Sequence, residues 1–563
     1  MKNLLLTLFT IVTFTTVSVS QSYQWAKSFG GTEGDQGTSV AVDINGNIYT
    51  TGFFSDTADF DPGPLVYNLI SKGNNDIFIS KTDSGGNLIW ATGIGSSNMD
   101  RSFAITCDDS GNVYATGSFR LAADFDPDTT TAFVGSFGLG DIFVVKLNTN
   151  GNFVWAKHFG GNLTDEGLAI AVDLNGNVYS TGTFQVTADF DPDTSNFTLT
   201  SAGNEAVYIS KLDKDGNFVW AKRIDGTDHD YGYAIDVDAN ENVIITGLFR
   251  NRVDFDPGVG IYNLTSTATN ASVNTFIVKL NGIGDFVWAK KFGGISASIY
   301  GKSLTVDASG NVYTTGHFGG IVDFDPGTPV YYLISLSGVG DIFVSKLDTN
   351  GNFVWAKQLG GLLTDEATCL TLDYLGNVYI TGMFNNTADF DPDSVSTFNM
   401  TSWNSNNGFI TMLDINGDFV WAKQFGGPGQ SPAGALAVDL SGSVYATGYY
   451  NSTCSFDYPT AGNLTYEGGT DVFLVKFSQT LTSNIETNEL SNIDSYPNPT
   501  TGILNLKGVS NEQILIYNNL GELILKSQSK SGIDLSSYNS GLYLLQIIDS
   551  SGKSIHTSKI LKW

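Results

Sequence analysis

The sequence predicts an all-β fold: a seven-bladed β-propeller of four-stranded antiparallel blades, with a small β-sandwich at the C-terminal end. Three observations carry this. First, the stretch Phe153-Val154-Trp155-Ala156-Lys157-His158-Phe159-Gly160-Gly161 returns around Trp25, Trp90, Trp220, Trp288, Trp355 and Trp421, with successive tryptophans 65, 65, 65, 68, 67 and 66 residues apart. A fixed period of this length marks a propeller, a solenoid or an array. Second, each period holds four short apolar segments separated by turn signals. Third, 64 glycines, 12% aromatic residues and only 15% charged residues suit many short strands joined by tight turns.

Taken in order, the chain opens on a targeting pattern. Lys2 precedes a largely apolar run from Leu4 to Val17, and Ser18-Val19-Ser20 places small residues before Gln21. Residues 1–20 read as a secretory signal peptide cut before Gln21. A lone tryptophan strand follows at Trp25. The first full unit then runs as a strand ending in Val40-Ala41-Val42-Asp43, a turn at Asn45-Gly46, and a strand from Ile48 to Phe53. Asn-Gly favours such hairpins because both positions accept positive φ. A connection of about twenty residues leads to a third strand, Asp76 to Lys81, then a Gly85-Gly86 turn and a fourth strand at Trp90.

The first-strand aspartate recurs as Asp108, Asp173, Asp238, Asp307, Asp373 and Asp439. Four antiparallel strands per period describe a propeller blade. The seventh set stops at Phe477 with no tryptophan strand after it, while the strand at Trp25 has no blade before it. Both deficits disappear if Trp25 completes blade seven, leaving no open edge to aggregate. The propeller is thus assigned to residues 21–478.

The units share Val-Asp-x-x-Gly-Asn-Val-Tyr-x-Thr-Gly followed by Phe-Val-Trp-Ala-Lys-x-Phe-Gly-Gly, and over residues 22–478 this resembles the SBBP family of β-propeller repeats in bacterial secreted proteins. No common activity comes with that resemblance. Residues 479–493 are rich in Ser, Thr, Asn and Glu and read as a linker. In residues 494–563, short strands of regular spacing suggest a small sandwich. Its Pro497-Asn498-Pro499-x-x-Gly502, Gly541-x-Tyr543 and Lys559-x-x-Lys562 resemble the type A C-terminal sorting domain of type IX secretion. The resemblance implies handling by that secretion machinery and delivery to the outer-membrane surface, or release, by a Gram-negative bacterium.

Net charge is −29, nearly all of it within the repeats. Such a body repels phosphate backbones and anionic lipid, which disfavours nucleic acid as a partner. No stretch after the leader has the length of a membrane helix. A monomeric propeller is expected. Cys107, Cys369 and Cys454 form neither a disulfide framework nor a zinc pattern.

The long two-to-three inserts and the four-to-one links share one face, the expected binding face. Each insert carries Asp-Phe-Asp-Pro: Asp59 and Asp61, Asp124 and Asp126, Asp189 and Asp191, with later copies from Asp254, Asp323 and Asp389; blade seven departs with Ser455-Phe456-Asp457-Tyr458. These carboxylates make calcium a candidate cofactor. The competing reading is a turn whose aspartates accept backbone N–H groups, anchored by the phenylalanine. Two carboxylates are few for an ion that takes six to eight oxygen ligands, so no cofactor is the leading expectation. Groups that depart from the repeat are the better pointers to a ligand: Arg101, Arg120, His229, Arg250 and Trp403, with Arg223, Arg252, His158 and His317 beside them. No catalytic constellation stands out. The leading reading is a non-catalytic binding, adhesion or scaffold module for a glycan or protein ligand. The alternative is a carbohydrate-active hydrolase or lyase with its site on the insert-bearing face.

Overall fold

The structure, a computed structural model, describes residues 18–126, 132–193, 195–266, 273–294, 297–336, 338, 340–403, 406–457, 461–482, 494–498, 500–507, 509, 512–518, 523–528, 532–538, 541–548 and 554–562. Residues 1–17 of the expected signal peptide and 483–493 of the expected linker lie outside these residues. The described residues are all-β, with no helix among them. The chain divides into two compact units, one of Val19–Thr480 and one containing Leu481–Trp563.

In the larger unit one antiparallel sheet pattern recurs. It first joins Gln36–Val42, Ile48–Phe54, Asp76–Thr82 and Leu88–Ile94 in that order. The first turn is built locally. Asp43 Oδ1 accepts the N–H groups of Asn45 and Asn47, both at 2.9 Å, while Oδ2 takes the Asn47 amide at 2.7 Å and the Tyr49 hydroxyl at 3.1 Å. Gly46 turns the chain at φ +79°, where a Cβ is disfavoured. The same aspartate–tyrosine bond returns at Asp108 and Tyr114, Asp173 and Tyr179, Asp307 and Tyr313, Asp373 and Tyr379, and Asp439 and Tyr445. The last sheet of the unit joins Ala433–Val438, Val444–Tyr450 and Asp471–Thr482 to Ser18–Gly31 from the other end of the chain.

Successive sheets stack through their first strands. Gln36–Val42 packs on Arg101–Cys107, that strand on Glu166–Val172, and so on to Ala433–Val438, which also packs on Gln36–Val42. Fourth-strand tryptophans tie their sheets to the next, except Trp421, whose Nε1 donates to Met412 Sδ of its own sheet at 3.0 Å. Trp90 Nε1 donates to the Thr149 carbonyl at 3.2 Å, Trp220 to Gly282 at 3.2 Å and Trp288 to Thr349 at 3.1 Å. Trp25 makes the same bond to Ser84 at 3.3 Å.

The connection of about twenty residues contains a hairpin. Thr57–Asp59 pairs with Asn68–Ile70, and Ala58 and Asp59 pair in turn with Gly31 and Gly30 of a neighbouring tryptophan strand. The insert therefore clasps the sheet beside its own. The pairing recurs as Gly160 with Asp189 and Gly360 with Asp389. This explains the second glycine of Phe-Gly-Gly: a Cβ on Gly161 would stand 2.0 Å from the Thr187 carbonyl oxygen. The insert phenylalanine fills the gap behind the clasp. Phe60 is fully buried, with its ring 5.5 Å from Phe54 and 4.9 Å from Phe78.

Carboxyl groups line the junctions between sheets. Asp35, fully buried, accepts Gly31 N–H on Oδ2 at 2.8 Å and Ser55 N–H on Oδ1 at 2.9 Å. Asp100, Asp165 and Asp365 do the same work at their junctions. Facing them are Asp471, Asp76, Asp141 and Asp341, whose Oδ1 atoms are buried without a hydrogen-bond partner. Burial pushes Asp35, Asp141 and Asp365 up to about 7 and Asp76, Asp165 and Asp471 up to about 6, with the facing carboxylate adding to the shift at most of them. At one junction the pair is instead Asn407 and Ser431, flanking Gly426. A carboxyl raised in the fold favours the protonated folded state. Its contribution is complete below the unfolded value near 3.8 and is lost as pH rises through about 6 to 7. Carboxyls held low, such as Asp83, Asp213 and Asp348, contribute fully above pH 4 and do not change across that window. The melting temperature is therefore expected to fall from pH 5 to about pH 7 and then to level off, by roughly 1.4 kcal/mol per group for each pH unit between its unfolded and folded values. Calorimetry at pH 5, 6.5 and 8 checks this, and Asp141→Asn should flatten the slope. A melting temperature that rises over the same range contradicts it.

In the smaller unit two antiparallel sheets share one core. One joins Asp494–Tyr496, Ile503–Lys507 and Ile533–Asp534; the other runs in the order Leu523–Ser527, Gln513–Tyr517, Gly541–Ile548, Ser554–Lys562. Leu504, Ile516, Ile533, Leu545 and Ile560 meet between them.

Candidate functional site

Along the first strands, most registers repeat from sheet to sheet. The residue just before the one facing the second-strand glycine is among those that differ. Strand pairing places Gln36, Arg101, Glu166, Tyr231, Tyr300 and Glu366 at equivalent positions. Because first strands pack side by side, these residues form a row at the end of the strands where the inserts and four-to-one links emerge.

The row is a continuous chain of contacts across several sheets. Arg101 lies over the Phe53 ring with its guanidinium carbon 4.6 Å from the centroid. Burial raises Glu166, with Glu205 adding to the shift and Arg101 and Arg120 opposing it. Glu205 is the hub. It accepts Gln185 Nε2 at 3.0 Å, and its Oε2 stands 2.8 Å from His229 Nδ1. Burial pushes Glu205 up, but hydrogen bonds from Tyr231, His229 and Gln185 outweigh it and hold the carboxyl below its usual range. His229 Nε2 meets the Asn204 amide at 3.2 Å. Tyr231 stacks on Tyr233 at 5.8 Å, and Lys302 Nζ sits 4.1 Å above the Tyr233 ring. Burial, with Tyr300 and the two glutamates, pushes Tyr233 up to about 12. Tyr300 stacks on His317 at 4.7 Å, and His317 Nε2 is 4.0 Å from Glu366 Oε1. Burial and then Lys302 push His317 down to about 4, so its ring is neutral at physiological pH. Chemically the row offers alternating cations, carboxylates and aromatic faces, half-exposed and held by neighbours.

Of the residues singled out in the sequence, the structure brings Arg101, Arg120, His229 and His317 into this cluster. Arg250 follows the second strand of the fourth sheet at the register of Arg120 and Gln185, with Nε buried and without a partner. Arg223 pairs with Asp225 at 3.3 Å. Arg252 is exposed on an insert. His158 is packed between Phe119 and Phe137. Trp403 lies apart, at the edge of a surface groove. Sequence reasoning missed Glu166, Glu205, Tyr231, Tyr233, Tyr300, Lys302 and Glu366. The signal was available in part: aligned repeats show first-strand positions that hold Gln, Arg, Glu, Tyr or Lys beside columns that hardly change.

The insert aspartates have a local task. Asp59 Oδ1 accepts Asp61 N–H at 3.0 Å and Tyr67 N–H at 2.8 Å, and Asp61 Oδ1 accepts Gly63 N–H at 2.7 Å. Asp124 and Asp189 accept the equivalent pairs of N–H groups, and Asp191 accepts that of Asp193. Asp126 is buried in its insert. Among the described residues no group of three or more His, Cys, Asp or Glu side chains converges. The cysteines are free, Cys454 buried and the others half-buried.

The sorting-pattern residues meet on the last strand of the smaller unit. Asn498 donates its amide to the Lys559 carbonyl at 2.6 Å and accepts Leu561 N–H at 2.9 Å. Gly541 pairs with Lys562 and Tyr543 with Ile560. Gly502 abuts Ser536, whose Oγ lies 2.3 Å from where a Cβ would stand. Pro497 is exposed, and Pro499 lies outside the described residues.

Residues 494–562 match the family described as a secretion system C-terminal sorting domain, and residues 24–52, 287–317 and 354–390 match the beta-propeller repeat family SBBP. The chain carries SBBP β-propeller repeats and a type IX C-terminal sorting domain. Among curated proteins it is 26% identical over 512 residues to an uncharacterized WD repeat-containing protein, L264, of Acanthamoeba polyphaga mimivirus, covering 77% of this chain and 36% of that protein. It is 27% identical over 224 residues to the regulatory protein FlaEY of Caulobacter vibrioides, covering 39% of this chain and 22% of that protein. The chain thus spans about a third or less of the length of these relatives. Among solved structures, Sqt1 from Chaetomium thermophilum aligns with a TM-score of 0.37 at 10% identity, covering 82% of this chain and all of that one. The sorting domain implies export to the outer-membrane surface or beyond. No helix among the described residues is long and apolar enough to cross a membrane.

Proposed function

We propose that residues 21–478 form a closed seven-bladed propeller that acts outside the cell as a monomeric, non-catalytic binding module. Its ligand, a protein segment or a glycan, lies over the row from Arg101 to Glu366. Closure is supported by the sheet that joins Ser18–Gly31 to Asp471–Thr482 and by the seam bonds of Trp25 and Lys476 to the Ser84 carbonyl. These repeat the ties between the other sheets.

One observation carries the binding reading: first-strand registers that hold Gln, Arg, Glu, Tyr or Lys in different copies assemble a connected charged and aromatic cluster. A scaffold alone has no use for such asymmetry, whereas a ligand is recognised by it. Glu205 and His229 are engaged with one another and with Gln185, Asn204 and Tyr231, an arrangement that presents fixed charge. The test is a peptide and glycan array probed with the purified propeller, repeated with Arg101→Ala and Glu205→Gln. Hits that lose about tenfold or more in affinity in both variants support the site. Hits that bind all three proteins equally remove it.

A second reading rests on Glu166 and Glu205. Burial raises the first while hydrogen bonds lower the second, the divergence that separates a general acid from a base. A polysaccharide hydrolysis screen with Glu166→Gln distinguishes the two readings. Turnover by the native chain that this variant abolishes makes the protein a carbohydrate-active enzyme.

A further inference from the structure

In several repeats the residue that follows the second strand bonds to the residue that precedes the third. Asn75 Nδ2 donates to Ser55 Oγ at 2.8 Å, Gln185 Nε2 donates to Glu205 at 3.0 Å, and Asn385 Nδ2 donates to Asn406. In the second repeat this pair of positions holds Arg120 and Gly140. The side chain that elsewhere supplies a partner is missing there. A Cβ on Gly140 would stand 3.7 Å from Arg120 Cγ and 3.8 Å from its Nε. Arg120 thus runs past the place where its partner would begin.

Arg101 belongs to the same sheet. Its guanidinium rests on the Phe53 ring, and its Nε is covered. Burial holds the group below its usual range, with Glu166 opposing the shift and the charge of Arg120 adding to it. Both arginines also act on Glu166. The two guanidiniums therefore lie within one another's field. Among the described residues neither side chain has a hydrogen bond or an ion pair, and both are only half-buried. Their terminal nitrogens are left as uncommitted donors. Two like charges held near one another are stabilised by an anion placed between them.

We propose that Arg101 and Arg120 clamp one carboxylate of the ligand, and that this ligand is a protein segment presenting a single Asp or Glu side chain at that point. The inference rests on the binding role proposed for the row and specifies what the row takes. A planar guanidinium can give a carboxylate two parallel N–H bonds, which a lysine cannot. The neighbouring groups set the ligand class. Glu166 and Glu205 stand on the next sheet, and hydrogen bonds favour the charged form of Glu205. They repel a second carboxylate. A polyuronate carries one on every sugar, whereas a peptide can follow one acidic side chain with neutral or basic ones.

The test is an array of peptide sets, the members of each set identical but for a central Glu, Gln or Lys. It is probed with the full mature chain and with Arg120→Gln, Arg120→Glu and Arg252→Gln. Arg252 is exposed on an insert, outside the row. The native chain is expected to bind Glu members about tenfold or more tighter than Gln members, as charge-assisted bonds allow, and added salt should shrink that preference. Arg120→Gln should erase the preference, and Arg120→Glu should reverse it toward Lys members, a change that misfolding does not produce. Arg252→Gln should keep it. Hexagalacturonate is the polyanionic arm. The proposal is overturned if bound peptides show no preference for Glu, if Arg120→Gln retains the preference, or if hexagalacturonate alone binds. Peptide binding that Glu205→Gln weakens but that shows no preference for Glu removes the clamp and leaves the row. Absence of binding to any peptide removes the clamp, and absence of glycan binding as well removes the row with it.

Discussion

Deleting residues 21–31 is expected to lower the melting temperature by several degrees or more and to send the protein into soluble aggregates. In the proposed closed ring this segment is the fourth strand of the last blade. Phe29 is only 2% exposed and stacks on Phe60 at 6.3 Å, and Tyr23 meets Phe477 edge-on at 6.2 Å. Ser28 Oγ and the Tyr450 hydroxyl are 2.6 Å apart, and Gly30 and Gly31 carry the clasp to Asp59 and Ala58. Burying one large aromatic side chain contributes roughly 1.5–3 kcal/mol, and this strand holds several contacts of that kind. Its removal also exposes Asp471–Thr482 as an unpaired edge ready to accept another chain. Differential scanning calorimetry and light scattering on the truncated propeller measure both effects. A monodisperse protein with the full-length melting temperature would show that the ring does not depend on this strand.

Deleting residues 494–563 is expected to abolish delivery to the cell surface while leaving the propeller folded. The smaller unit has a core of its own. The protein should then accumulate in the periplasm of its native host, as fractionation with an antibody against the propeller would reveal. Fusion of the same residues to an unrelated exported protein should carry that cargo outward. A single change gives a finer probe. Asn498→Ala removes two of the bonds that fasten the segment to the last strand, each contributing roughly 0.5–1.5 kcal/mol, and should lower both the domain's stability and the exported fraction. Normal surface delivery without residues 494–563 would leave the C-terminal unit as a binding module rather than an address.

What the chain declares locally was legible without coordinates. The tryptophan period, the Asp-x-x-Gly-Asn hairpins and the strand lengths depend on residues a few positions apart, so Asp43, Asn45 and Gly46 determine their turn by themselves. The turn reading of Asp-Phe-Asp-Pro was likewise available, because Asp59 binds N–H groups two and eight residues on. The arginines and His229 could be picked out because they interrupt a repeat.

Tertiary structure decided the rest. The second glycine of Phe-Gly-Gly is required by the carbonyl of Thr187, an atom of the neighbouring repeat. Burial of Asp141 follows from stacking one sheet on the next, which no single repeat specifies. Arg101, Glu166, Tyr231, Lys302 and Glu366 lie scores of residues apart in sequence and become neighbours only when first strands pack side by side. A repeat encodes its own hairpins through short-range hydrogen bonds. The charge and shape of a surface assembled from several repeats depend on distances between them, and only packing sets those distances.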